Sequence, residues 1–150
     1  MNADARASSR PAVRTVSGVS AAIATLTLAI AATATAVQPA DIQKGYEATA
    51  REETPAFAGF RAERGAELFS TRHGGEWSCA SCHTDNPLGA GRHARTGKSI
   101  APLAPAANPE RLTDAANVEK WFRRNCNDVL GRACSAQEKG DVIQYLRSLR

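Results

Sequence analysis

The stretch Cys79-Ala80-Ser81-Cys82-His83 constrains this chain more than any other. Two cysteines three positions apart project to the same side of one helical turn. There each sulfur can form a thioether with one haem vinyl group, and the next residue offers its imidazole to the iron. The motif predicts a covalently attached haem c, with Cys79 and Cys82 as attachment points and His83 as an axial ligand. The competing readings are a redox Cys-x-x-Cys, which belongs in a strand-helix context, and a zinc half-site, which needs two further ligands at suitable spacing.

Residues 1–36 read as an export signal rather than as part of the fold. Arg6, Arg10 and Arg14 precede an apolar run over 16–36 that ends in the small-residue pattern Ala34-Thr35-Ala36, which predicts cleavage after Ala36 or Ala34. The alternative is a retained anchor, the one route to a membrane. Alanine, threonine and glycine dilute the run, and this favours cleavage. The remaining 114 residues suit one small domain. Three arginines and Asp4 fall within the signal, so 16 basic residues face 14 acidic ones over 37–150, a formal balance of +2. A near-neutral chain without a basic run interleaved with aromatics has no electrostatic case for a nucleic-acid partner.

Export also bears on the other cysteines. With Cys79 and Cys82 used by the haem, Cys126 and Cys134 remain as an even pair in an oxidising periplasm. A disulfide between them closes a short loop and contributes roughly 2–3 kcal/mol by chain-entropy arithmetic.

Over 37–59 the chain is polar, contains Pro39 and Pro55, and carries a helical pattern at 41–53. This extension predicts an N-terminal helix lying over a cytochrome domain of residues 60–150. Residues 60–70 predict a second helix, with Gly65 and Phe69 four apart on one face and Leu68 beside them. A glycine placed so lets another backbone come close. Pro87, Gly89, Gly91, Gly97, Pro102, Pro105 and Pro109 remove all periodicity from 84–109, a loop long enough to wrap a haem. A further helix starts near Asp114 or Asn117 and stops at Gly131. At roughly 100° per residue, Val118, Trp121, Phe122 and Val129 share its inner face, and Asn125 falls in the middle of that face. The last helix opens with the capping box Ser135-Ala136-Gln137-Glu138 and buries Val142, Ile143, Leu146 and Leu149, with Tyr145 adjoining. No strand pattern or internal repeat occurs, so the predicted architecture is all-α.

The iron needs a partner opposite His83. Methionine is the common choice in small electron-transfer cytochromes, but the single methionine is Met1, inside the export signal. The remaining candidates are Asn125, His93, His73, a lysine such as Lys98, or an open position. Arg92, Lys98 and Trp77 are candidate partners of the haem propionates.

The segment Lys120-Trp121-Phe122-Arg123-Arg124-Asn125-Cys126, followed by Gly131-Arg132-Ala133-Cys134 and Glu138-Lys139-Gly140-Asp141, resembles the sphaeroides haem protein family of oxygen-binding c-type cytochromes, and is similar in layout to cytochrome c″. The resemblance runs from Phe60 to the C-terminus. It implies that Asn125, the residue before the first disulfide cysteine, is the distal haem ligand, where cytochrome c″ has histidine. It also implies that Cys126 and Cys134 are the family's disulfide. Gly65 and Phe69 with Tyr145 and Leu146 look like the crossed terminal helices of class I cytochromes c. The fold expected is thus a small class I cytochrome c-like helical domain around one haem, with an extra N-terminal helix.

The function expected is that of a periplasmic monohaem cytochrome c. An amide is a neutral ligand with a hard oxygen and holds ferric iron better than ferrous iron, so Asn125 should let go on reduction and leave room for O₂ or NO. The resemblance implies a dihaem cytochrome c as electron donor, and it raises an oxidoreductase activity on O₂ or NO as an alternative to electron transfer. The competing functions are a bis-histidine shuttle with His83 and His93 as ligands, and a haem-based redox or gas sensor.

Overall fold

The computed structural model describes residues 37–150, and the export signal expected over 1–36 lies outside them. In chain order the helices are α1 (Pro39–Gly45), α2 (Glu47–Glu53), α3 (Ala62–Ser70), α4 (Ala80–His83), α5 (Ala115–Leu130) and α6 (Ala136–Ser148). Among the described residues no helix is long and apolar enough to cross a membrane.

Helices α3 and α6 cross where Gly65 meets Asp141. A Cβ placed on Gly65 would lie 2.0 Å from the Asp141 carbonyl oxygen, so only glycine allows the two backbones this approach. The carboxylate of Asp141, 3% exposed, binds the same junction. It accepts from the Arg61 backbone N–H at 2.7 Å, from Arg64 Nε at 2.7 Å and from Arg64 Nη2 at 2.9 Å. One buried carboxylate therefore caps the start of α3 and neutralises its own charge with a forked guanidinium, which is what makes burial of a charge tolerable. Beyond the crossing, Phe69 is 2% exposed and packs with Val142 and Leu146. Burying a side chain of that size stabilises the fold by about 1.5–3 kcal/mol.

Local signals fix the ends of the long helices. Asp114 accepts from the Asn117 N–H at 3.0 Å, and Gly131 ends α5 in the left-handed conformation at φ 67°. At α6 the expected capping box is present: Ser135 Oγ accepts from the Glu138 N–H at 3.1 Å and Glu138 Oε2 accepts from the Ser135 N–H at 2.8 Å. Arg132 completes it with bonds of 2.8 and 2.7 Å to the same carboxylate. Cys126 on α5 is bonded to Cys134, Cα to Cα 5.6 Å, which ties the last turn of α5 to the start of α6.

The single helix expected at 41–53 is instead two helices of seven residues each, broken at Tyr46. Gly45 is a poor helix residue, and Tyr46 turns inward: its ring meets Phe122 edge-on at 6.3 Å and its hydroxyl donates to Glu119 at 2.9 Å. The pair packs on α6. Buried Gln43 donates to the Gly140 carbonyl and to Gln144 and accepts from Arg147, while Glu53 accepts from the Ala136 N–H at 2.8 Å.

Three other expectations change. The loop 84–109 contains an antiparallel pair of two-residue strands, β1 (Gly91–Arg92) with β2 (Ser99–Ile100), in the register Gly91 opposite Ile100. Strands this short follow the turn at Gly97, φ 68°, and carry no alternation for a sequence reading to detect. Trp121, expected on the inner face of α5, is 43% exposed and lies beneath the cations of Lys120 and Arg124, while its neighbour Phe122 turns to Tyr46. Leu149, just past the end of α6, is only half-buried.

Two measurements check these contacts. Gly65→Ala forces α3 and α6 apart and should lower stability by about 2–3 kcal/mol in urea unfolding; an unchanged midpoint would contradict the close crossing. Hydrogen bonds from Arg132 hold the Glu138 carboxyl below its ordinary range against the opposing effect of burial. Its folded pKa lies below its unfolded one, so its stabilisation is present above the unfolded value and is lost as pH falls through the folded value. Glu138→Gln should flatten that part of the acid-side stability profile, and a variant with the wild-type slope would refute the assignment.

Candidate haem site

Helix α4 is a single turn set by two serines. Buried Ser78 and exposed Ser81 bond reciprocally, the Ser78 N–H to Ser81 Oγ at 2.9 Å and the Ser81 N–H to Ser78 Oγ at 3.3 Å. The turn closes with the His83 N–H on the Cys79 carbonyl at 3.0 Å. It stops at once because Thr84 has φ 63° and ψ 165°, an unusual backbone state for a β-branched residue. The result places Cys79, Cys82 and His83, all half-buried, on one turn, with both thiols free.

The turn is also buttressed from outside. Gly91 of β1 is buried against it, and a Cβ there would come within 2.2 Å of the Cys82 carbonyl oxygen. The Ala94 N–H points at Cys82 Sγ from 3.3 Å.

Electrostatics separate the competing chemistries. Burial pushes the Cys79 thiol up to about 11, with Cys82 adding to the rise against a smaller opposing effect of a backbone hydrogen bond. A redox Cys-x-x-Cys works through a cysteine whose pKa is depressed, so this environment runs the wrong way for it. Burial also lowers His83 to about 4, helped by the positive charge of Arg111. The imidazole is therefore neutral at physiological pH, with a lone pair available to a metal. Among the described residues no group of three or more His, Cys, Asp or Glu side chains assembles into a metal cage, as a closed zinc site would require.

The surroundings of His83 are apolar. The Phe69 ring lies 6.2 Å from the imidazole and 5.5 Å from Tyr145. Leu103, Leu112, Phe122 and Leu149 are partly buried and pack against the same cluster. Two thiols and a neutral imidazole on one turn, beside an apolar wall, are the donor set and lining that haem c needs.

Asn125 stands on α5, next to the disulfide and half-buried. Its side-chain amide makes no hydrogen bond to any described residue. The other histidines are engaged. His73 is exposed, with Nε2 at 3.1 Å from the Leu68 carbonyl. His93 Nδ1 accepts from the Arg95 and Thr96 N–H groups at 3.3 and 3.2 Å, so its ring proton sits on Nε2.

Arg111 escaped the sequence reading. Its guanidinium donates to the carbonyls of Ala101, 2.9 Å, and Pro102, 3.0 Å, and Asn108 donates to Pro102 at 3.3 Å. The 101–102 backbone is thus held by a cation that also acts on His83. Only the preceding prolines hinted at it. Gly91 could have been suspected as a close-approach glycine, but nothing in the sequence paired it with Cys82.

A family model described as a domain of unknown function, DUF1924, matches residues 55–146. The cytochrome c-type protein SHP of Cereibacter sphaeroides is 49% identical over 112 residues, 72% of this chain and 81% of its own length. Cytochrome c″ of Methylophilus methylotrophus is 51% identical over 78 residues, 52% of this chain and 54% of its own length. Among solved structures, oxidized SHP, described as an oxygen binding cytochrome c, is similar with a TM-score of 0.66 and 48% identity, covering 75% of this chain and 97% of the other. Oxidized cytochrome c″ gives 0.67 at 38% identity, covering 75% and 95%. The helical cytochrome fold is therefore common to all three. By these similarities and by the site itself, the chain belongs to the family of c-type cytochromes that contains SHP and cytochrome c″.

Proposed function

We propose that this protein is a periplasmic monohaem cytochrome c that accepts electrons from another haem protein, a dihaem cytochrome c by family analogy. Its distal ligand, Asn125, is released on reduction to admit O₂ or NO. The carrying observation is the place of Asn125, half-buried on α5 directly before the Cys126–Cys134 disulfide, where the family resemblance puts the distal ligand. No described side chain or backbone group bonds its carboxamide, so its oxygen is available to an iron. The description of SHP as oxygen binding supports the same reading.

Haem c, when bound, supplies a one-electron iron centre with affinity for diatomic gases in its ferrous state. Cys79 and Cys82 anchor it as thioethers, and His83 holds the proximal side through a neutral imidazole. The Asn125 oxygen is a hard, neutral donor, matched to ferric rather than ferrous iron. Once released, the same side chain presents an N–H that can donate to a polar diatomic. The Cys126–Cys134 bond and the Gly131 cap hold the end of α5, so release is a side-chain movement and the helix stays in place. The alternative ligand His93 is disfavoured, because both backbone donors on its Nδ1 would be lost if its protons rearranged for ligation. The disulfide and the apolar segment at 16–36 support export.

Optical spectra test the reading directly. The reduced holoprotein should shift its Soret band when CO is added, whereas a reduced form that ignores CO would leave the bis-histidine shuttle. Asn125→Leu should change the ferric spectrum and leave CO binding intact; an unchanged ferric spectrum would remove Asn125 as ligand. Asn125→His should compete for the ferrous iron and lower the apparent CO affinity by about tenfold or more, in proportion to the fraction of open sites.

A further inference from the structure

The hairpin 91–100 carries Arg92, Arg95 and Lys98 and no acidic residue. All three cations are exposed, and none forms a salt bridge with a described residue. A charge run of this kind is ordinarily just a solvated face. Here two of the cations are held in place: Arg92 Nη1 donates to the Gly97 carbonyl at 2.8 Å, and the Arg95 guanidinium lies 5.0 Å over the Trp77 ring. The hairpin itself is fixed by the bonds from the His93 N–H to the Lys98 carbonyl and from the Gly97 N–H to the His93 carbonyl, both 2.8 Å. Its base is pressed against the Cys82 carbonyl at Gly91, and its Ala94 N–H meets Cys82 Sγ at 3.3 Å.

We infer that this cationic hairpin is the docking surface for a redox protein whose electron-exit edge is ringed by carboxylates. Two of the three charges are held before any partner arrives, which reduces the ordering cost of association. Their field also steers an acidic surface toward the attachment turn. Cys82 is where the macrocycle is joined to the chain, so a partner seated on the hairpin is brought next to the bonded haem edge. This assignment departs from the expectation that Arg92, Lys98 and Trp77 serve the propionates. Vinyl and propionate groups occupy opposite edges of haem, and the hairpin is mounted on a vinyl-bonded sulfur. The inference rests on the reading of the protein as an electron-accepting cytochrome.

Stopped-flow reduction of the ferric holoprotein tests it, with flavodoxin hydroquinone as the acidic probe and reduced lumiflavin as a small uncharged one. In each case one electron passes from the flavin to the ferric iron and leaves a semiquinone. Replacing Arg92, Arg95 and Lys98 together by glutamine should slow reduction by flavodoxin about tenfold at low ionic strength and flatten its salt dependence. The rate with lumiflavin and the reduction potential should stay at their wild-type values. Lys98→Glu, whose side chain supports nothing within the hairpin, should slow flavodoxin in the same direction and guards against a misfolded triple variant. Wild-type flavodoxin rates in both variants would overturn the inference, and so would a shifted potential accompanied by an altered lumiflavin rate, which would return the cations to the propionates. Failure of lumiflavin to reduce the wild-type protein would instead overturn the electron-accepting reading, and the inference with it.

Discussion

The close crossing of α3 and α6 at Gly65 and Asp141 is the contact on which the site depends. With no side chain between the two backbones, the Asp141 carboxylate can reach the Arg61 N–H at the start of α3 and the Arg64 fork together. The same approach packs Phe69 with Val142, Leu146 and Tyr145, and its ring lies 6.2 Å from the imidazole of His83, tilted by 43°. A wider crossing would leave a buried carboxylate short of partners and a large ring unpacked. Both penalties act in the same direction, toward one geometry.

From that frame the attachment turn inherits its chemistry. Burial keeps the Cys79 sulfur, before any attachment, as a thiol rather than a thiolate, and keeps the His83 ring neutral. One environment therefore suppresses thiolate redox behaviour and preserves a metal-ligating lone pair. Arg111 adds a positive charge on the His83 side while its hydrogen bonds hold the 101–102 backbone. A single residue thus links the course of the loop to the electrostatics of His83.

Helix α5 is held differently. Helix α5 is fixed at its ends by Asp114, Gly131 and the disulfide, and along its outer surface by the N-terminal extension, where Tyr46 and Lys139 converge on Glu119. Asn125 thus stands on a helix held at both ends, so its side chain can change partners while the backbone stays in place.

Much of this was legible in the sequence. The haem motif, the capping box, the close-approach glycine and the four main helical segments are local signals, read from spacing and residue type within a few positions. The hairpin, the break at Tyr46, the exposure of Trp121 and the part played by Arg111 were not, because each depends on which distant group lies opposite. Gly91 looks like any loop glycine until the Cys82 carbonyl is placed against it, and Tyr46 like any helical tyrosine until Phe122 and Glu119 are. Spacing and residue type alone pointed to a covalently held haem, since attachment needs only local signals, and composition left no methionine over residues 37–150 to face the iron. Packing alone settled which hairpin cations are held beside the 79–83 turn and how closely Gly91 meets the Cys82 carbonyl, because the position of a charge and the approach of two backbones depend on groups far apart in the chain.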